Sequence, residues 1–513
     1  MSASSQYTET THLLVDSKKS DIETQVVSID SKLESYDDDN LHADEKLGVV
    51  SASLLMLNKM IGTGIFSVPS SVYALTGSVG GSMFLWMLGG IAAYAGLNVY
   101  LEFGLKIPKS GGDKNYLERV YRHPRHFALA IFTVVSVVLG VSSSNCYAFG
   151  IYVLFALGIE NPTESQARSV AILGLTLCCC LHGVFPNAGR RIFNLLGIFK
   201  VVVLIGVTIT GLGVLAGLVD IPDRPHNFTN IFQNDGYGGG AYSYSVALLR
   251  VFYSYRGWEN ANFVMGQIRN PERTVPIAGT LAIVLATLLY SLCNIAYFAV
   301  IPKDLIANSG TIVAGHFFRI VFGESAAARL LPCLVALSNI GNVLVVSYAY
   351  GYMNLELAKN ELLPFSNFFS SLKPFNSPFA GLGLHWVISA LTLIIPPPGQ
   401  IYEFVIDLSS YPLAIITAFV TVGLLYLQFN REKEDWPLRP FHSPLVLTLI
   451  YLFINIFLIL APLVPPPPGV IQEGQLPYYS VPLASVIIFI LGGVYWSYWF
   501  QGRDEKEIEV LLE

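Results

Sequence analysis

Charge is what this chain has least of. Only 13% of its 513 residues are charged, against 53% hydrophobic, where a soluble globular domain carries about 25% charged residues. That balance excludes an ordinary water-soluble globule. Cysteine is scarce too: Cys146, Cys178, Cys179, Cys180, Cys293 and Cys333 are all there is, and each falls within or next to an apolar run. None lies in a long polar loop, so no disulfide framework is implied. The triplet Cys178–Cys180 has no clustered His or Asp partners, which favours small-residue packing over a metal site. No Walker-type loop is present, which argues against a nucleotide-driven pump. No nucleophile–base constellation is visible, which argues against an enzyme. The net charge of -6 comes largely from the polar ends and gives no footprint for nucleic acid. No basic segment followed by an apolar one opens at Met1, so no cleaved leader is expected and the first apolar run should direct its own insertion.

What is present is a series of apolar runs, each long enough to cross a bilayer core of roughly 30 Å. The expected class is an all-α membrane protein with twelve spans, at roughly 48–75, 81–105, 127–157, 168–185, 193–219, 241–268, 275–300, 327–358, 379–395, 400–427, 443–463 and 479–500. Residues 1–47 form an N-terminal tail and 501–513 a C-terminal one; the first is too polar to bury a core and reads as disordered. With both termini in the cytoplasm, the inner loops hold fifteen Lys and Arg residues. The outer loops hold five, Arg168, Arg224, Lys303, Arg319 and Arg329. That asymmetry follows the positive-inside rule. The sequon Asn227-Phe228-Thr229 falls in an outer loop, where it would be open to glycosylation.

One span is built to break. "LNKMIGTGIFSVP", residues 57–69, carries Lys59, Gly62, Thr63, Gly64 and Pro69 inside an apolar run. The sixth span has a second interruption, a polar and aromatic centre at Tyr253, Ser254, Tyr255, Arg256, Gly257, Trp258 and Glu259. Paired breaks in corresponding positions of two halves are the best sequence pointer to a transporter site at the midplane. Their positions suit a five-plus-five inverted repeat followed by two extra helices. Unwinding at Gly62-Thr63-Gly64 frees N–H groups at a helix start that carries about half a positive charge, a seat for a carboxylate. The inner half-helix ends on free carbonyls near Met60 and Ile61. With carbonyls from the sixth-span break, these suit an ammonium. A carboxylate and an ammonium on adjacent atoms describe an α-amino acid. The bland alternative is a glycine kink or a small-residue packing face.

Several motifs appear in order and carry a family resemblance: "IGTGIF", "YLEFGLKIPKSGGDKNYLERVY", "GRRIFNLLGIFKVVVLIGV" and "FYSYRGWENANFVMGQIRNPERTVP". They resemble the amino acid–polyamine–organocation superfamily, in its L-type branch. "LLPFSNFFSSLKPFNSPFAGL", "PPPG" at 396–399 and "LAPLVPPPPG" further resemble fungal high-affinity methionine permeases. The resemblance covers about residues 47–500 and implies a LeuT-type fold with an alternating-access cycle. By that resemblance, Thr63, Gly64 and Ile65 would offer N–H groups to the substrate carboxylate, and Met60 and Ile61 carbonyls to its ammonium. Tyr253 matches the aromatic that caps the substrate, Ser254 and Tyr255 line the unwound turn, and Trp258 and Glu259 sit at its far edge. Lys200 matches the fifth-span lysine of sodium-independent members, whose ammonium stands in for a sodium ion. The expected partner is the Gly62 carbonyl. A charge at mid-membrane costs about 3 kcal/mol or more and is functional by default, so Lys200 is the candidate for coupling to a proton, with no sodium and no other cofactor expected. The bland reading of Lys200 is a snorkelling side chain near the interface.

Other polar residues keep two readings each. Arg256 stands where the family usually has a small residue; it either pairs internally with Glu259 or charges the pocket. Lys59 either faces the inner vestibule or is structural. Asp407 is a candidate proton or ion-pair site. Ser338, Asn339 and Asn342 either line the pathway beside Lys200 or bond between helices. Glu102 is expected to pair with a basic loop. In fungal relatives, tails like residues 1–47 resemble regions read by ubiquitin-ligase adaptors; the alternative is a plain solvated tail. The outer loop after span three, "GIENPTESQAR", has no cysteine, so no disulfide-linked heavy chain is expected. The expected function is a plasma-membrane secondary transporter that imports free neutral amino acids, methionine first, by proton symport. The alternatives are an exchanger, a permease for another amino acid, and a non-transporting nutrient receptor.

Overall fold

A computed structural model describes residues 46–159, 161–395, 401–465 and 477–501, with only the backbone described at 63, 311, 325–328, 401–407 and 501. The expected N-terminal and C-terminal tails fall outside the described residues. Among the described residues the fold is helical. Its elements are α1 (Val49–Met60), α2 (Thr63–Thr76), α3 (Val79–Lys106), α4 (Asp113–Val120), α5 (Phe127–Leu139), α6 (Ser143–Ala156), α7 (Glu164–Val184) and α8 (Pro186–Leu215). There follow α9 (Gly240–Tyr255), the single turn α10 (Asn260–Phe263), α11 (Pro271–Val300), α12 (Lys303–Asn308), α13 (Val313–Phe322) and α14 (Glu324–Lys359). The chain continues through α15 (Ser366–Phe369), α16 (Phe379–Ile394), α17 (Ile401–Phe429), α18 (Leu445–Leu460) and α19 (Ser480–Trp496).

Local chemistry sets the ends. Pro186 and Pro271 open α8 and α11, where a missing N–H costs nothing. Thr163 and Gln166 form a reciprocal capping box on α7. Gly77, in the left-handed conformation, closes α2.

Nine helices among the described residues are long and apolar enough to cross a membrane, and ten if α1 and α2 count as one bent span. Two of the twelve expected spans fall short of that measure. Span six ends as a long helix at Tyr255, because nearly half of it, on the inner side, is spent on the break and short turns. Span nine, α16, has 16 residues. Span three is interrupted at Gly140–Ser142, a break not expected from the sequence. Large apolar side chains stay exposed along the outer faces, among them Leu177, Ile209, Leu288, Phe453 and Ile490. Such a surface is what a multi-pass protein presents to lipid.

The first span bends by 42° between its halves. α1 packs on α8, α11 and α14, whereas α2 packs chiefly on α9 and lies beneath α12 and α13. The sixth-span break folds onto the first. Gly257 has φ +140°, and a Cβ there would lie 2.8 Å from the Met60 nitrogen and 2.6 Å from Lys59 Cγ. Asn227 is buried, and its amide donates to the carbonyls of Phe298 (2.8 Å) and Ile301 (2.7 Å). Its nitrogen is thus committed to closing the outer loop onto α11, and the sequon is closed to glycosylation in this structure.

Gly257→Ala is expected to destabilise the fold by about 1–3 kcal/mol, through a strained φ and a clash with backbone. The checking measurement is the unfolding midpoint of the purified protein; an unchanged midpoint would show that the two breaks do not need this contact.

Candidate substrate site

The two breaks meet at one cavity. It is lined by Lys59, Met60, Gly62 and Gly64 from the first break, and by Tyr253, Ser254 and Arg256 from the end of α9. Leu139, Val141, Ser144 and Asn145 come from the span-three interruption, Asn342 and Tyr350 from α14, and Ser409 from α17. The cavity itself is small, about 40 Å³, and opens to one side.

Close approach explains the glycine at 64. A Cβ there would sit 2.6 Å from Ser254 Oγ and 2.9 Å from Ser254 Cα. Only a glycine lets the start of α2 touch the end of α9. The contact sets the N-terminal, partially positive end of α2 beside the C-terminal, partially negative end of α9. The residue preceding α2 is Gly62, which has no side chain to cap the first amides, so those donors remain for another acceptor.

The carbonyls freed by the first break are already held. Lys200 is fully buried, and its Nζ donates to the carbonyls of Asn58 (2.8 Å) and Ile61 (2.6 Å). The Gly62 carbonyl is not its partner. The ammonium reaches back along α1, where the last helical carbonyls point toward α8. A snorkelling lysine is excluded by this burial. The Tyr290 hydroxyl of α11 lies between the Met60 carbonyl (2.6 Å) and the Ser254 carbonyl (3.0 Å), joining the two breaks. Asn342 of α14 donates to the Lys59 carbonyl at 2.5 Å, and Asn58 donates to Phe193 of α8 at 2.7 Å. Of the two carbonyls expected to hold an ammonium, Met60 accepts from both Tyr290 and the Gly62 N–H (3.0 Å), and Ile61 accepts from Lys200.

The other expected site residues divide. Tyr253 faces the cavity, and its hydroxyl meets Ser144 Oγ at 2.8 Å. Tyr255 points away: it is buried, donates to the Trp86 carbonyl (3.0 Å) and packs on Trp86 and Tyr290. Trp258 is buried against Tyr100 and Tyr451 and does not line the cavity. Ile61 and Ile65 are buried without lining it, and the Thr63 side chain is outside the described residues. Arg256 satisfies both of its readings. Its Nε lies 3.5 Å from Glu259 Oε1, one Nη donates to the Ser409 carbonyl at 2.9 Å, and the side chain still lines the cavity. Glu259 also accepts from the Gly257 N–H at 2.8 Å, so it braces the break and does not line the cavity.

Ser338 and Asn339 are buried but do not line this cavity, and their side-chain polar atoms have no partner among the described residues. Asn342, one turn on, is the polar residue of α14 that reaches the break. The Asp407 side chain lies outside the described residues. Glu102 pairs with Lys106 of its own helix at 2.6 Å and also accepts from Trp436 and the Ser443 N–H.

Missed from the sequence were Tyr290, Tyr350, Ser409 and the whole span-three contribution. His385 holds that third break, with Nδ1 at 2.8 Å from the Gly140 carbonyl and Nε2 at 3.0 Å from Ser142 Oγ. The signal was present in "VLGVSSSN", a glycine followed by three serines inside an apolar run.

Among known proteins, a family model described as amino acid permease matches residues 47–491. The chain is 38% identical over 460 residues to the high-affinity methionine permease of Saccharomyces cerevisiae, covering 89% of this chain and 79% of that one. It is 29% identical over 451 residues to the low-affinity methionine permease of the same yeast, covering 86% and 80%. It is 25% identical over 488 residues to the human b(0,+)-type amino acid transporter 1, covering 94% and 95%.

Lys200→Met is expected to cost about 2–5 kcal/mol of stability, because two buried carbonyls lose a charged donor. Ser338→Ala, whose hydroxyl holds no partner among the described residues, is expected to cost under about 1 kcal/mol. Unfolding midpoints of the two variants check the contrast; equal effects would deny Lys200 its place as the brace of the break.

Proposed function

The chain belongs to the amino acid permease family, and from that premise we propose that it imports neutral amino acids, methionine foremost, by proton symport. The relatives are permeases and transporters, not enzymes. One observation carries the reading of the site. The start of α2 and the end of α9 meet at Gly64 and Ser254, and both line the cavity. Opposed helix ends offer N–H donors and carbonyl acceptors a few ångströms apart, which matches a carboxylate and an ammonium on one carbon. In this proposal the amides of Thr63, Gly64 and Ile65 hold the carboxylate. The ammonium rests on the carbonyls at the end of α9 and the remaining lone pair of Ile61, with Met60 able to join only by giving up one of its two donors.

Tyr253 closes the cavity from the side of α6, and the substrate side chain lies toward Leu139, Val141 and Tyr350. That wall is apolar and aromatic, as a thioether wants. The similarity to two yeast methionine permeases supports methionine. The proposal includes the LeuT-type arrangement of twelve spans, with two five-helix repeats and two further helices. It places the protein in the plasma membrane with both termini cytoplasmic. The absence of a sodium requirement is part of it, since the Lys200 ammonium occupies the position a cation would take beside the first break.

A second reading is favoured by one feature. Lys59 and Arg256 both line the cavity, and a cationic wall suits a side chain with a hydrogen-bond acceptor better than a purely aliphatic one. That reading is a permease for a more polar amino acid.

Uptake of radiolabelled methionine into proteoliposomes separates these. Saturable uptake that accumulates under an inward proton gradient and is competed by neutral amino acids is expected. Uptake indifferent to the gradient would remove symport. Stronger competition by polar or acidic amino acids would move the assignment to the second reading, and no uptake of any amino acid would end the transport proposal for this chain.

A further inference from the structure

Below the cavity lies a second ionisable site that substrate binding does not use. Residues 107–120 follow α3 and turn back under the sixth-span break. The loop is clamped there by three hydrogen bonds. The Gly111 N–H donates to the Phe263 carbonyl (3.2 Å), the Gly266 N–H to Ser110 Oγ (3.0 Å), and the Tyr116 hydroxyl to Asn262 Oδ1 (2.9 Å). Asn115 ties the loop to itself through the Lys109 and Ser110 carbonyls. This clamp seats Asp113, the first residue of α4, in the interior with 2% of its surface exposed. Its Oδ1 has no hydrogen-bond partner among the described residues. The Tyr100 hydroxyl is the side-chain donor to the carboxyl.

A buried carboxylate oxygen without a donor is costly, and a proton is the cheapest remedy. We propose that Asp113 is a proton-binding site that latches the 107–120 loop under the sixth-span break, so that seating the loop takes up a proton and lifting it releases that proton to water. The groups facing Asp113 are Tyr100 of α3, Arg256 and Glu259 of the break, Tyr350 of α14 and Tyr451 of α18, with Tyr116 on its own helix. Burial, with Glu259 adding, pushes the carboxyl up to about 7 from 3.8, against the Tyr100 hydrogen bond and the Arg256 charge. The seated loop therefore binds the proton more tightly than the lifted, hydrated loop. Seating weakens as pH rises from about 4 to about 7, by up to about tenfold per unit, and is level above that.

The consequence for transport rests on the proposed function and its orientation, in which this loop faces the cytoplasm. The loop holds Asn262 and Phe263, the inner turn of span six. Lifting it frees that turn and gives the proton to the cytoplasm in the same motion. Asp113, rather than Lys200 alone, then ties proton release to opening on the inner side.

Hydrogen exchange of amides 111–117, on the full chain in nanodiscs without substrate, tests the latch independently of transport. After correction for intrinsic exchange, wild-type protection is expected to rise on going from pH 7 to pH 5.5. Asp113→Asn is expected to be protected throughout and flat with pH. Tyr100→Phe removes a hydrogen bond that favours the ionised form, so its profile should move to higher pH, and it provides a readout should Asp113→Asn fail to fold. Identical profiles for wild type and a folded Asp113→Asn, or protection that falls on acidification, would overturn the latch. Methionine uptake at varied internal pH is the second arm. A pH-dependent latch in a chain that moves no amino acid would sink the transport reading alone. Normal uptake with no exchange difference would sink the latch alone.

Discussion

Breaking a helix inside a bilayer frees backbone groups that lipid cannot satisfy, at several kcal/mol each, and the arrangement around the cavity reflects that cost. The carbonyls at the end of α1 are satisfied by Lys200, Tyr290 and Asn342, from three different helices. Each donor is fixed in turn by what it touches. Lys200 spans the Asn58 and Ile61 carbonyls, and Tyr290 reaches from the Met60 carbonyl to Ser254 on the other break. The first break is thus held from α8, α11 and α14 at once. No one of these helices can move relative to α1 without exposing a carbonyl.

The amide side is treated differently. The first N–H groups of α2 receive no cap from Gly62, and the cavity lies where an acceptor would sit. Protein donors satisfy the freed carbonyls, whereas the first amides of α2 receive no side-chain cap among the described residues. An intact helix offers neither, and a plain glycine kink would be sealed on both sides. The asymmetry is what turns a defect in a span into a place for an anion, with carbonyl ends nearby for an ammonium.

Much of this frame was legible in the sequence because a buried lysine, and two interruptions that combine glycine with polar residues, are uncommon in lipid. Gly62, Gly64, Lys200 and the polar centre of span six stand out against their apolar surroundings. The partners were less legible. That Lys200 would meet Ile61 rather than Gly62 depends on helix phase to within one residue, which hydropathy does not carry. Tyr255 and Trp258 read as pocket aromatics but pack away from the cavity: Tyr255, still in α9, faces Trp86 by its helical phase, and Trp258 follows Arg256, where the chain leaves the helix. The span-three break was passed over because Gly140 and three serines are also ordinary small-residue packing. Only its contact with His385 and the cavity distinguishes it.

Arg256 shows how the pieces combine. It sits where the helix of span six gives way, with backbone angles already extended. Its guanidinium must leave the cavity wall partly uncovered, since one arm holds the Ser409 carbonyl and another approaches Glu259. Glu259 accepts the Gly257 N–H with its second oxygen. Lys59 and Arg256 line the cavity against the one carboxylate of Glu259, so its floor keeps a positive excess unless Asp113, just beneath, is ionised. Charge at the substrate site and protonation at the inner loop are thereby coupled through one short stretch of chain, Arg256 to Glu259. A change in either is felt by the other across the break that joins them.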